Sequence, residues 1–257
     1  MENQLGCNNV EIIDENFYMP QLDRHRRIWI YKPVGYGQSD RRYPVIYMHD
    51  GQNLFDEATA FGDEWCVDET LNEMNAGCIV IGVDSGEKRL TEYNFRDHEE
   101  HGEGEGFKYA TFIAETLKPF VDENFATLPG REHTFIAGSS MGGLISLYIA
   151  VYFPHVFGGA GVFSPSLWLL PDAREELEVV VQQAQLHQRI FLYGGAKEDD
   201  MLQHIDAIGT LLHQQPNYEV EIVVDPEGEH AEYRWRQVFP LFYKWMEKGV
   251  MENLQHT

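Results

Sequence analysis

Two kinds of hydrophobic pattern alternate along this chain. Short runs of apolar, β-branched and aromatic residues are apolar nearly throughout, which is typical of strands covered on both faces. They predict strands at residues 26–32, 45–50, 78–84, 133–139, 159–164, 189–195 and 218–225. Apolar residues at helical spacing predict helices at residues 64–74, 109–125, 141–152, 173–186, 201–213 and 233–248. This alternation indicates βαβ units, so the predicted fold class is α/β with a mostly parallel sheet and helices on both faces.

Three further features of the pattern predict the architecture. The first two predicted strands have no helical pattern between them, so we expect them to form an antiparallel edge. Residues 85–106, SGEKRLTEYNFRDHEEHGEGEG, are too polar and glycine-rich to pack a core and are expected to form a long surface loop. No internal repeat or linker-like stretch interrupts the alternation, which predicts one domain over residues 1–257.

Charge and composition narrow the possible partners. The formal net charge is −23, from 19 Lys and Arg against 42 Asp and Glu, and a field of that sign repels phosphate. We therefore expect no nucleic-acid or membrane partner and a neutral small-molecule substrate. The first residues are polar and acidic, and no apolar run approaches the ~20 residues that span a bilayer, so a cytoplasmic location is expected.

The sequence predicts neither a disulfide framework nor a metal site. Cys7, Cys66 and Cys78 are widely spaced and odd in number, so buried thiols are expected. Residues 97–101, DHEEH, place two histidines three apart in a glycine-bounded loop. They lack the H-E-x-x-H spacing that presents two ligands on one helix face. No metal and no cofactor are therefore expected.

A candidate nucleophile lies where the fourth predicted strand ends. Residues 136–143 read IAGSSMGG, and only Ser140 fits the G-x-S-x-G frame of a strand, a sharp turn and a helix. The flanking glycines have a physical reason, because a side chain at either position would collide with neighbouring backbone. A serine hydroxyl is a poor nucleophile unless a base takes its proton and donors stabilise the resulting oxyanion.

Groups that could activate this serine lie after later strands. His230 occupies a Pro/Gly loop between the last strand and the last helix, and His49 is its nearest rival as the base. Glu198, Asp199 and Asp200 follow the strand at 189–195, and the order Ser, acid, His is typical of α/β-hydrolases. Three acids in a row are also typical of a solvated helix start, so the choice among them stays open.

Two backbone amides could form an oxyanion hole. One is the N–H of Met141, the residue after the serine. The other would come from VIYMHDGQNLF, where Gly51 is expected to permit a conformation that turns the amide of Gln52 toward the pocket. Taken alone, HDGQN reads equally well as a simple turn.

These motifs together resemble the esterase D and feruloyl-esterase-like branch of the α/β-hydrolases. The similar stretches, in order, are VIYMHDGQNLFD, VIGVDSGEKRLTEY, FIAETLKPFVDENF, FIAGSSMGGLISLY, FSPSLW, YGGAKEDD and the EGEH loop. The resemblance implies Ser140 as nucleophile, His230 as base, and Gln52 and Met141 as oxyanion amides. It also implies Glu198 as the acid, a departure from the many relatives that carry Asp there, so Asp199 or Asp200 stays possible.

The substrate side of the site is less determined by sequence. Phe163, Leu167 and Trp168 follow a strand end and could line an acyl or aromatic pocket, although SPSLWLL could equally be core. Residues 164–187 have room for one helix, so no large lid is expected. The resemblance further implies that the loop with Arg89, Glu92 and Tyr93 walls the cleft.

The expected function is that of a serine carboxylic ester hydrolase acting on small soluble acyl esters. Members of the family implied by the resemblance act on hydroxycinnamoyl and acetyl esters, which makes acylated sugars candidate substrates. Two alternatives stay open at this point: an acyltransferase with the same triad, and a catalytically silent interaction protein with this fold. The sequence does not indicate an oligomeric state.

Overall fold

A computed structural model describes residues 9–98, 102–170 and 173–254 of the chain. Its strands are β1 (Val10–Met19), β2 (Arg24–Tyr31), β3 (Val45–His49), β4 (Ile79–Val83), β5 (Thr134–Ser139), β6 (Gly159–Phe163), β7 (Gln188–Gly195) and β8 (Tyr218–Asp225). Its helices are α1 (Val67–Glu73), α2 (Arg89–Glu92), α3 (Gly106–Phe112), α4 (Lys118–Asn124), α5 (Met141–Tyr152), α6 (Ala173–Gln182), α7 (Met201–His213) and α8 (Glu232–Leu254). A π turn at Ile113–Leu117 joins α3 to α4, and short 3₁₀ turns occur at Gly51–Asn53, Arg131–His133 and Leu167–Leu169.

The strands form one sheet in the order β1-β2-β4-β3-β5-β6-β7-β8. From β4 to β8 all neighbours are parallel, whereas β2 runs antiparallel to both β1 and β4. Apolar clusters cover both faces: one packs mainly under α3 to α7, and the other packs under α1 and α8. The predicted α/β class, with a mostly parallel sheet between helices, is therefore confirmed.

The antiparallel edge of the sheet is formed by different strands from those predicted. The prediction paired residues 26–32 with 45–50, but β3 runs parallel between β4 and β5, and β2 instead pairs with β1. The sequence pattern missed β1 because this edge strand has a mostly exposed or half-buried face, so its polar and acidic residues hide the alternation.

The segment 85–106 is more ordered than its composition suggested. It contains α2, and Glu92 and Tyr93 are completely buried, which contradicts the prediction of a surface loop without core. Glu92 is stabilised there by ion pairs to Arg24 and Arg26 of β2. Buried charges need such partners, so the polar sequence of the segment conceals a packed structure.

Several other predictions concern parts of the chain that the structure describes only partly. Cys66 is half-buried and Cys78 is fully buried, both as free thiols, whereas Cys7 lies outside the described residues. Residues 99–101 of the DHEEH loop also lie outside them. Among the described residues, no helix is both long enough and apolar enough to cross a bilayer.

Candidate active site

Ser140 occupies a strained turn between β5 and α5. Its backbone has φ 57° and ψ −121°, a region that residues with a side chain rarely adopt. The turn is tight because a Cβ added to Gly138 would lie 2.9 Å from the backbone of Gly142. A Cβ on Gly143 would lie 2.6 Å from the carbonyl oxygen of Phe163 in the next strand. Glycine is therefore required where α5 approaches β5 and β6.

The hydroxyl of Ser140 lies at the carboxyl end of the sheet. Its Oγ is hydrogen-bonded to Oγ of Ser166, at a distance of 3.1 Å. The N–H of Ser140 donates to the carbonyl of Phe163 over 2.9 Å, and the N–H of Ser166 donates back to the carbonyl of Ser140 over 3.1 Å. The turn is thus fastened to the loop that follows β6.

His230 and Glu198 form a second, directly bonded pair at the same edge. Nδ1 of His230 lies 2.6 Å from Oε2 of Glu198. The Glu198 side chain is 3% exposed and the His230 side chain is 43% exposed, so a buried acid holds an accessible imidazole. The neighbouring Asp199 and Asp200 are exposed, and Asp200 is the N-cap residue that precedes α7. Among the three acids left open by the sequence, Glu198 is the one that contacts His230.

Two residues that the sequence did not single out hold Glu198 in place. The hydroxyl of Ser164 donates to Oε1 of Glu198 over 2.7 Å, and the indole N–H of Trp235 donates to Ser164 Oγ over 3.0 Å. The N–H of Gly195 also donates to Oε1, over 2.8 Å. The Trp235 ring meets the His230 ring edge-on at 5.0 Å. Position at a strand end was the available signal for Ser164, which directly follows β6.

A cleft of about 1080 Å³ brings these groups together. Ser140, Met141, Ser166, Glu198 and His230 all line it. Met141 is the first residue of α5, where a backbone N–H has no acceptor within the helix. A hydroxyl, an acid-bound imidazole and a helix-start amide therefore share one cleft at the carboxyl edge of a parallel sheet, which is where ligands bind in open α/β folds.

The loop expected to supply the second amide has a different backbone conformation from the prediction. The residue with positive φ is Asp50, at 57°, and not Gly51. Glycine is needed at position 51 for another reason, because a Cβ there would lie 2.8 Å from the backbone of Gly82 in β4. Gln52 lies within the following 3₁₀ turn, and its side chain bonds to Ser85 through Nε2 and Oε1. Gln52 is not among the residues that line the cleft.

Two of the residues expected to bind substrate point elsewhere. Phe163 is fully buried in the core beside Trp65, Phe191 and Phe242, so its assignment to the substrate pocket is wrong. Tyr93 is also fully buried, and this assignment is wrong for the same reason. A large aromatic ring gains more from complete burial than from a half-solvated cleft wall, and sequence position alone does not show which occurs.

Other expected substrate contacts do lie in the cleft. Trp168 is 63% exposed and lines it together with Leu167. Arg89 and Leu90 of α2 form part of the wall, while Glu92 does not. The Arg89 guanidinium is held by two hydrogen bonds to Asp50, of 2.7 and 2.8 Å. The described residues between β6 and β7 contain a 3₁₀ turn and α6, with no large lid.

The histidines separate by environment. His49, the rival base, is buried away from the cleft with Nδ1 2.9 Å from the hydroxyl of Tyr109. Burial lowers the pKa of His49 to about 3, which keeps the ring neutral. His204 of α7 is half-buried and lines the cleft.

Comparisons with known proteins show the family of this chain. The sequence model of a protein family described as "Putative esterase" matches residues 20–242. The iron(III) enterobactin esterase of Dickeya dadantii is 26% identical over 256 residues, covering 89% of this chain and 53% of that protein. The BES protein from Bacillus cereus has a similar structure, with a TM-score of 0.78 at 22% identity over 96% of this chain and 97% of that chain.

A ferulic acid esterase also has this structure, with a TM-score of 0.71 at 15% identity over 94% of this chain and 99% of that chain. At such identities, likeness to solved structures shows the fold, which is that of the α/β-hydrolases. The resemblance noted in the sequence is thus confirmed at the level of the family. Because the family match spans most of the chain, this protein belongs to that esterase family and is a serine carboxylic ester hydrolase with the α/β-hydrolase fold.

Proposed function

We propose that this enzyme hydrolyses small acyl esters through Ser140 as nucleophile, His230 as general base and Glu198 as the acid that orients the imidazole. The observation that carries the proposal is the 2.6 Å hydrogen bond between Nδ1 of His230 and the buried Glu198, in the cleft that Ser140 lines. When the N–H of Nδ1 donates a hydrogen bond to Glu198, Nε2 carries no proton and can act as the base. This is the tautomer that the reaction needs.

The reaction then proceeds in two half-reactions. The Ser140 hydroxyl leaves Ser166 by rotating about χ1, and Oγ attacks the ester carbonyl carbon while His230 Nε2 takes the proton. Collapse of the tetrahedral intermediate breaks the bond to the alcohol, which leaves with the proton from His230. Water then gives a proton to His230, attacks the acyl-enzyme and releases the carboxylic acid, and Ser140 recovers its proton.

Two backbone amides are proposed to stabilise the oxyanion of each tetrahedral intermediate. The Met141 N–H begins α5, so both an unpaired donor and the positive end of the helix dipole favour negative charge there. The Gln52 N–H is the second proposed donor. Gln52 does not itself line the cleft, but Asp50, two residues earlier, bonds to Arg89 of the cleft wall. The Gln52 N–H precedes the first hydrogen bond of its turn, from Asn53 N to Asp50 O. One such donor typically contributes ~3 kcal/mol to the transition state.

The cleft suits a substrate with an apolar or aromatic acyl group. Trp168 and Leu90 offer exposed apolar surface in the cleft that Ser140 lines, and Arg89 supplies a charged group to the same cleft. The names of the enterobactin esterase and ferulic acid esterase relatives support an ester of an aromatic acid. Hydroxycinnamoyl esters of small sugars are therefore the first substrates to test, followed by acetyl esters.

Ester hydrolysis by the wild type and Ser140→Ala tests the mechanism. We expect methyl ferulate and p-nitrophenyl acetate to be hydrolysed by the wild type, with kcat at least ~10³-fold lower in the variant. Ser139→Ala is the matched control, because Ser139 is the buried neighbour at a variable position of the motif. Full activity in Ser140→Ala would exclude the mechanism, and product analysis with added alcohols would reveal acyl transfer in place of hydrolysis.

A further inference from the structure

One face of helix α7 forms a wall of the active-site cleft. The residues of this α7 wall are Met201, His204, Ala207 and Ile208. Spacings of three to four residues place them on one side of the helix, where they extend over about 10 Å. The proposed mechanism uses none of these side chains, so the α7 wall is available to hold a part of the substrate that does not react.

His204 is the polar member of an otherwise apolar wall. Met201 and Ile208 are buried, whereas His204 is half-buried between them in the helix. An aliphatic side chain at this position would gain more from burial and would bring no polar nitrogen with it. Packing of the helix therefore does not explain why the chain has a histidine here.

Neither ring nitrogen of His204 has a hydrogen-bond partner in the described part of the chain. Nδ1 is shielded from solvent and unpaired. Nε2 is also unpaired but is not one of the shielded atoms, so it lies on the accessible side of the ring. The polar side chains that precede it in the chain bond to each other, because Nε2 of Gln203 donates to Oδ1 of Asp200 over 3.1 Å. The hydrogen-bonding capacity of the His204 ring is therefore unused.

The burial of Nδ1 determines which nitrogen of the neutral ring carries the proton. A proton on Nδ1 would make it a shielded donor without an acceptor, and such orphaned donors are rarer in folded proteins than unpaired acceptors. The neutral ring is therefore protonated on Nε2. His204 thus offers one N–H donor on its accessible side.

We propose that His204 determines specificity by donating a hydrogen bond from Nε2 to a hydroxyl oxygen of the ester substrate. This inference rests on the proposed ester hydrolysis and adds to it a group that the substrate carries away from the reacting carbonyl. An apolar wall with one donor suits a substrate part that is apolar along its length and has a single hydroxyl, such as the ring of a hydroxylated aromatic acid or a hydroxyalkyl alcohol. An ester without that hydroxyl leaves the donor unpaired, which is how such sites discriminate.

Two pairs of esters, each differing by one hydroxyl, test the proposal. Methyl p-coumarate and methyl cinnamate differ in the acid, whereas 6-hydroxyhexyl cinnamate and hexyl cinnamate differ in the alcohol. We expect the wild type to have a kcat/KM about 10-fold or more higher for the hydroxylated ester of one pair. The pair that shows this preference identifies the part of the substrate that reaches His204.

Three variants separate hydrogen bonding from packing. His204→Leu should reduce the preference to within about 2-fold, mainly by raising KM for the hydroxylated ester, because the lost contact does not involve the reacting atoms. His204→Gln should keep part of the preference, since its amide nitrogen still donates close to the position of Nε2. His213→Leu is the matched control and should leave both ratios unchanged. His213 lies on the same helix, does not line the cleft, and has Nδ1 2.9 Å from the carbonyl oxygen of Gly209.

The outcomes distinguish this proposal from the proposed function. Circular dichroism shows whether each variant is folded. Equal kcat/KM within both pairs for the wild type, or a preference that persists in His204→Leu, would overturn the role of His204 and leave ester hydrolysis in place. Hydrolysis of none of the four esters by the wild type would contradict the proposed ester hydrolysis, and the role of His204 would fall with it.

Discussion

At the scale of single residues, environment separates side chains of the same chemical type. Glu198 and Asp199 are adjacent acids, yet Glu198 is buried with three hydrogen-bonding partners while Asp199 is exposed. The Glu198 side chain reaches from the loop after β7 to His230.

This contrast predicts the result of neutralising each acid. Glu198→Gln should lower kcat by about 10³- to 10⁴-fold, because an amide no longer fixes the imidazole tautomer or stabilises its charged form. Asp199→Asn should change kcat less than a few-fold. Steady-state kinetics on one activated ester checks both variants. Equal losses of kcat, or a larger loss in Asp199→Asn, would mean that Glu198 is not the acid of the triad.

At the scale of elements, the serine turn depends on how closely α5 packs against β6. A Cβ on Gly143 would meet the carbonyl of Phe163 at 2.6 Å, and this backbone atom cannot move without shifting the strand. A Cβ on Gly209 in α7 would meet only Cδ1 of Ile222, at 2.5 Å, which is the tip of a side chain that is 37% exposed. The two helix glycines thus differ in whether the atom facing them can move: the backbone carbonyl at Gly143 cannot, whereas the side-chain tip at Gly209 can.

Alanine at the two positions should therefore have opposite effects. Gly143→Ala should destabilise the protein by about 1–3 kcal/mol through overpacking and should reduce activity by displacing Ser140. Gly209→Ala should be neutral or stabilise by up to ~1 kcal/mol, because alanine favours the helix. Urea unfolding monitored by tryptophan fluorescence measures both. A stable, fully active Gly143→Ala would show that α5 does not need this close approach.

At the scale of the whole molecule, stability should fall in mild acid because of a buried histidine. Burial lowers the pKa of His49 to about 3, whereas the unfolded chain has a value near 6.5. Between these values the unfolded state binds the extra proton, so this contribution is complete above pH ~6.5 and is lost as the pH falls toward 3. The loss is about 1.4 kcal/mol per pH unit, or roughly 2 kcal/mol from pH 6.5 to 5.

The measurement is the free energy of unfolding at pH 7 and pH 5 for the wild type and His49→Gln. The variant should lose less stability than the wild type over this range, because glutamine does not titrate. The carboxylates titrate in both the wild type and the variant. Only the difference between the two changes in unfolding free energy with pH is therefore informative. Identical changes in unfolding free energy would mean that His49 does not have a lowered pKa in the folded state.

The sequence by itself determined the local features of this protein. Alternating hydrophobic periods predicted seven of the eight strands in the described residues, because burial is recorded in residue spacing. They also predicted the helices Met141–Tyr152 and Met201–His213 with the bounds that are observed. The glycine frame identified the turn at Ser140, where a Cβ on Gly138 would collide with the backbone of Gly142. One domain over residues 1–257 stays a prediction.

Tertiary structure decided what depends on residues far apart in the chain. Contact between Glu198 and His230 joins residues 32 apart, and the bond from Trp235 to Ser164 joins residues 71 apart, so no local pattern contains them. The same holds for the pairing of β2 with β4. It also holds for the burial of Phe163 and Tyr93, which sequence position and the family resemblance had assigned to the cleft. Local spacing records which face of an element is apolar, but the packing of other elements determines what that face meets.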